Sequence, residues 1–150
     1  MWEENLKKIV DELKIYDEKI NQGASNEEIR RFKLESKSKL GIELPSEYLD
    51  IISKVNGLEF NGFILYGIDE YLLDSEINQN IYGLIDYNLI WHENEWQRKY
   101  LFLGESNISW YVYDIKDKNF IELDNPSGER VNKFNDFYKM FEKLLADSVM

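Results

Sequence analysis

The chain has 150 residues, of which 43% are hydrophobic, with four Trp, ten Tyr and eight Phe, enough apolar surface for one sizeable core and a single domain over 1–150. Its 29 acidic and 18 basic residues give a formal charge of −11, which disfavours nucleic-acid backbones and favours a basic protein partner. There is no cysteine, so disulfides, thiolate nucleophiles and cysteine-based metal sites are excluded.

The opening MWEENLKKIVDELK mixes charge signs where a signal peptide needs an unbroken apolar stretch. No run approaches the roughly 18 apolar residues of a membrane span, so a cytoplasmic protein without a membrane partner is expected. Leu6, Ile9, Val10, Leu13, Tyr16 and Ile20 recur at helical spacing, which predicts a first helix ended by Gln22-Gly23-Ala24. Ser25-Asn26-Glu27-Glu28 fits a capping box that opens a second helix, with Ile29, Phe32 and Leu40 inward and Gly41 as its left-handed stop. Pro45 suits the first turn of a third helix, where its missing amide costs nothing; Tyr48, Leu49, Ile51, Ile52 and Val55 form the inward stripe, and Asn56-Gly57 ends it.

Phe60 to Tyr66 reads as a strand interrupted by Asn61-Gly62 and closed by Gly67. Tyr100 to Leu103, Trp110 to Asp114 and Phe120 to Leu123 read as three more, with the hairpin-length separators GESNIS and IKDKN. A run from Phe134 through Phe137, Tyr138, Phe141, Leu144 and Leu145 returns to helix. Helices, then consecutive strands, then a helix predict an α+β fold: a mainly antiparallel sheet with amino- and carboxy-terminal helices packed against it.

LPSEYLDIISKVNG, FILYGID, YLFLGESNISWYVYDI and NKFNDFYKMFEKLL occur in that order, and together they resemble the SUKH superfamily. That group includes bacterial toxin-immunity proteins and fungal cell-wall-synthesis regulators. The resemblance covers about residues 26–145 and leaves the helix at 2–22 as an addition. It implies helices on one side of a mainly antiparallel sheet, and a protein that neutralises a polymorphic toxin, commonly a nuclease, delivered by a neighbouring cell. The matching positions Leu44, Pro45, Tyr48, Asn56, Gly57, Gly67 and Gly104 are mostly structural in this reading. Where many relatives carry glycine and aspartate after the Leu-Gly strand end, this chain has Ser106-Asn107-Ile108-Ser109.

Catalytic patterns are sparse. His92 is the one histidine; beside Glu93 and Glu95 it makes at most an isolated general base, and a solvent-exposed histidine in an acidic segment is the expectation. No G-x-S-x-G elbow is present, Gly57, Gly62 and Gly67 surround a strand instead of opening a helix, and Asp69-Glu70 with Asp74 and Glu76 lacks EF-hand spacing. A non-enzymatic protein with no metal and no cofactor is expected.

Charge placement is the most informative feature. Residues 1–40 hold nine acids and nine bases, whereas residues 41–150 hold twenty acids and nine bases. Between Lys54 and Arg98 there is no lysine or arginine, yet eight acids occur there, together with Phe60, Phe63, Tyr66, Tyr71, Tyr82, Tyr87, Trp91 and Trp96. Like charges within about 8 Å repel, so a base-free acidic stretch costs stability that a function would explain. The expected partner-binding residues are Asp69, Glu70, Tyr71, Asp74, Glu76, Asp86, Tyr87, Trp91, Glu93 and Glu95, facing a cognate toxin with a basic surface. The alternative is an intracellular scaffold or regulator that meets an endogenous protein with the same surface. The sequence leaves the oligomeric state open.

Overall fold

A computed structural model describes all 150 residues. Helix α1 (Trp2–Ile15) is followed by α2 (Asn26–Leu40) and α3 (Ser46–Ile52); a hairpin of β1 (Leu58–Phe60) and β2 (Phe63–Leu65) leads to α4 (Leu84–Trp91). Strands β3 (Tyr100–Glu105), β4 (Ser109–Asp114), β5 (Asn119–Asp124) and β6 (Arg130–Phe134) follow, then α5 (Phe137–Ser148). The strands form one six-stranded antiparallel meander in chain order, so the α+β architecture and the antiparallel sheet are as expected.

The start of α2 follows local chemistry closely. The Ser25 hydroxyl accepts the Glu28 amide at 3.1 Å while the Glu28 carboxylate accepts the Ser25 amide at 2.9 Å, and Gly41 closes the helix at φ 70°. Other boundaries differ from expectation. Helix α1 stops at Ile15, because Asp17 turns left-handed at φ 57°, and Tyr16 is left exposed instead of inward. Helix α3 stops at Ile52, with three residues between it and Asn56-Gly57. Asn56 turns inward, its Oδ1 accepting the Ile68 amide at 2.9 Å, and Gly57 at φ 78° passes close to Gly67. A Cβ on Gly67 would lie 2.9 Å from the Gly57 nitrogen, so the backbones approach there as only glycine permits.

The interrupted strand at 60–66 is a two-residue hairpin, with Asn61 at φ 52° and Gly62 at φ 81°, the conformation that Asn-Gly favours. Phe134 ends β6 instead of starting the last helix, which begins after Asp136 caps the Lys139 amide at 2.9 Å.

One continuous cluster of 31 buried hydrophobic residues forms the core. Helix α5 lies on one sheet face, with Phe137 packed 5.7 Å from Phe120, and α1 lies on α5 through Trp2 and Phe141, also 5.7 Å apart. The register Phe102↔Val112↔Ile121 points to the opposite face from Tyr113 and Phe120. There α4 packs, Trp91 lying 5.5 Å from Phe102 and 5.7 Å from Trp110. Helices therefore flank both faces, not one as the family resemblance implied, because residues 84–91 form a helix the sequence pattern did not reveal.

Candidate partner-binding site

Asp69 decides the geometry of the acidic region. Its carboxylate accepts the Ile85 amide at 3.0 Å and the Asp86 amide at 2.9 Å, filling unpaired donors at the start of α4. It is 1% exposed, and burial pushes its carboxyl up while the Asp86 and Ile85 amides pull against that rise. Gly83 makes room for it, since a Cβ there would come within 2.3 Å of Oδ2. Asp69 is thus a buried helix cap and not a partner contact, which corrects its assignment. The cap also joins the two acidic segments, placing Glu70 and Asp86 at the same junction.

The run after Asp69 lacks bases in sequence but meets them in space. Arg31 of α2 donates to the Leu72 carbonyl at 2.9 Å and to the Asp74 carboxylate at 2.7 Å. Lys39 donates to the Tyr71 hydroxyl at 3.2 Å, with its ammonium 4.9 Å from that ring centroid. Asp74 and Tyr71 therefore already have cationic partners, whereas Glu70 and Glu76 are exposed.

Glu28 secures this run from beneath by accepting the Asp74 amide at 2.8 Å. Burial alone raises its carboxyl, but the Ser25 and Asp74 amides outweigh that and hold it below its ordinary 4.5. A lowered folded value means a contribution present above that ordinary value and lost as pH falls through the lower one. Glu28→Gln sets an NH2 against one of the two amides and is expected to cost about 1–2 kcal/mol in denaturant unfolding at pH 7. The gap between variant and parent should shrink below pH 4.5.

Helix α4 carries the remaining segment. Leu84, Ile85 and Asn88 are buried, and Tyr87 stacks on Tyr66 at 5.1 Å. The Trp91 Nε1–H donates to the Tyr66 hydroxyl at 3.1 Å, which donates to Glu105 at 2.6 Å; burial first, and then Glu105, pushes that phenol far above its usual value. Tyr87 and Trp91 are half-buried posts that hold α4 to the sheet. On the outer side, Asp86, Leu89 and Ile90 follow i, i+3, i+4 spacing and make one exposed stripe, with Leu89 at 42% and Ile90 at 54% exposure, and Glu93 in the turn just past α4 is exposed as well. Beyond it, Glu95 is exposed and Trp96, 44% exposed, leans on Gly128 within 6.0 Å of Trp110.

The structure thus leaves Glu70, Asp86, Glu93 and Glu95 exposed, sets Asp86 on the same helix face as the exposed Leu89 and Ile90, withdraws Asp69 and pairs Asp74 with Arg31. Leu89 and Ile90 escaped a search framed on carboxylates and aromatic rings. The signal for them was LIDYNLIW itself, an apolar segment interrupted only by Asp86, Tyr87 and Asn88.

His92 is half-buried instead of solvent-exposed. It caps α4, with its Nε2 2.8 Å from the Tyr100 carbonyl and its own carbonyl accepting from Arg98 at 2.7 Å. No group of three or more His, Asp or Glu side chains converges as a metal cluster. The family-motif positions do structural work: Leu44 is buried, Pro45 precedes α3, and the buried Tyr48 hydroxyl donates to the Tyr66 carbonyl at 2.7 Å. A Cβ on Gly104 would lie 2.4 Å from the Ile64 carbonyl oxygen. In the departing loop, the Ser106 hydroxyl accepts the Ser109 amide at 3.1 Å and shapes a turn.

This is an α+β domain built on an antiparallel meander, with an acidic, apolar-centred helix face displayed on one side of the sheet. Residues 23–143 match the model of the SMI1 / KNR4 family (SUKH-1), and the chain belongs to that family. The family includes toxin-immunity proteins and regulators, and its domains generally bind partner proteins. No curated protein matches the chain. No helix is long and apolar enough to cross a membrane.

Proposed function

We propose that this protein is an immunity protein, which acts in the cytoplasm by binding a cognate toxin through the outer face of α4 and is not itself an enzyme. The observation that carries this reading is the stripe of Asp86, Leu89 and Ile90, with Glu93 exposed just past it. Helix α4 packs against β3 and α2, and the adjacent Leu89 and Ile90 on its remaining side stay exposed, where apolar helix side chains are ordinarily covered. Adjacent exposed aliphatics with carboxylates on either side form the core and rim of a protein interface. The carboxylates favour a basic target such as the substrate groove of a nuclease, because opposite fields speed encounter and reject acidic competitors.

The test is co-expression with candidate toxin domains taken from the genes that flank its own. Growth should be rescued by the parent protein and lost with Leu89→Lys/Ile90→Lys. His92→Ala removes a contact to the Tyr100 carbonyl and is expected to cost about 1 kcal/mol of stability while leaving rescue intact. Loss of rescue by folded His92→Ala would point to chemistry at that ring. Binding to a cellular protein without rescue would favour a regulator with an endogenous partner.

A further inference from the structure

The two edges of the sheet are treated differently. At β1, the Gln79 side chain accepts the Glu59 amide at 3.3 Å and donates to the Glu59 carbonyl at 3.0 Å, so a side-chain amide takes the place of a neighbouring strand. At β6 nothing does so, and no strand lies beyond it. The Asp124 amide donates to the Glu129 carbonyl at 2.8 Å, and antiparallel alternation from that pair turns the peptide groups of Arg130 and Lys133 away from β5. The register shift between Glu122 and Leu123 adds one residue to β6 and brings Arg130, opposite Leu123, and Lys133, opposite Ile121, to the same face. Arg130 is anchored by the buried Asp114 at 3.1 Å, and Val131 beside it is 55% exposed.

We propose that the outer edge of β6 is a second binding site, separate from the α4 face, which accepts an extended acidic segment of a protein partner as a seventh strand. The outward N–H and C=O groups of Arg130 and Lys133 supply the ladder. Carboxylates at alternate positions of the incoming strand meet the two cations. Charge selects this occupant over a second copy of the chain: a two-fold β6 pair would bring each Arg130 and Lys133 against the same cations of the other molecule, and like charges across a ladder destabilise it. In a chain of net charge −11, β6 holds two cations and no carboxylate, which suits an acidic strand.

The experiment titrates the full chain with a short synthetic peptide that alternates glutamate with valine, and follows backbone amide exchange. Slowed exchange at Arg130 and Lys133, with Glu59 unchanged, is the expected result. Lys133→Glu, a surface change that leaves the fold intact, should weaken the peptide about fivefold, and a lysine-valine peptide should not bind the parent. Absence of protection at millimolar peptide would overturn the proposal and leave Arg130 and Lys133 as guards against edge pairing. Protection that appears without peptide and grows with protein concentration would also overturn it, in favour of self-association.

Discussion

Asn88→Leu is expected to lower stability by about 3 kcal/mol. Asn88 is 0% exposed; its Nδ2 donates to the Leu84 carbonyl at 2.8 Å and the Phe102 carbonyl at 2.9 Å, and its Oδ1 accepts the Phe102 amide at 2.7 Å. Strand β2 reaches β3 only at Gly104 and Glu105, so at Phe102 the side chain of Asn88 completes the ladder in its place. Leucine has similar volume but leaves both Phe102 backbone groups buried without partners, at about 1–3 kcal/mol each, offset in part by its apolar burial. Urea unfolding measures the loss. Leu89→Ala, one residue away on the exposed side, should stay within about 0.5 kcal/mol of the parent.

The complementary expectation concerns binding. Leu89→Lys/Ile90→Lys should leave the unfolding midpoint nearly unchanged, since both side chains face outward, and should weaken the partner by at least about 100-fold. A lysine pair in the stripe removes its apolar anchor and sets cations against a basic target. Titration calorimetry with the partner reads the loss directly. Tyr87 and Trp91 are poorer test sites, because their rings also hold α4 against Tyr66 and Phe102.

How much was legible in the sequence depends on whether the signal was local. The capping box at Ser25 and Glu28, the stop at Gly41 and the strands at Trp110–Asp114 and Phe120–Leu123 were all readable, because cap chemistry and turn residues act over a few positions. Helix α4 was not, because its apolar and polar residues do not segregate: the polar Asn88 is on the buried face and the apolar Leu89 and Ile90 are on the exposed one. Strand β6 was not, because an edge strand with nearly every side chain exposed lacks alternation. The base-free interval contains the exposed α4 residues Asp86, Leu89 and Ile90 on which the proposed site rests. Its reading as uncompensated charge failed where Arg31 and Lys39 arrive from a helix 32 to 43 positions away in sequence. Asp69 was misassigned for a related reason: a carboxylate followed by a glutamate and a tyrosine looks like a surface turn, and only the fold brings the amides of Ile85 and Asp86 onto it.

The central claim, that the acidic α4 face receives a basic protein, is tested most directly by association rate against ionic strength. The parent is compared with a variant carrying Glu70→Lys, Asp86→Lys, Glu93→Lys and Glu95→Lys, and with a control carrying Glu3→Lys, Glu4→Lys, Asp11→Lys and Glu12→Lys on α1. Both variants change the net charge equally. The account predicts that the α4-face variant associates at least about tenfold more slowly at low salt, that this deficit closes as salt screens the field, and that the α1 control stays close to the parent. Equal slowing by the two variants would mean that only total charge matters, and would contradict the placement of the site on α4.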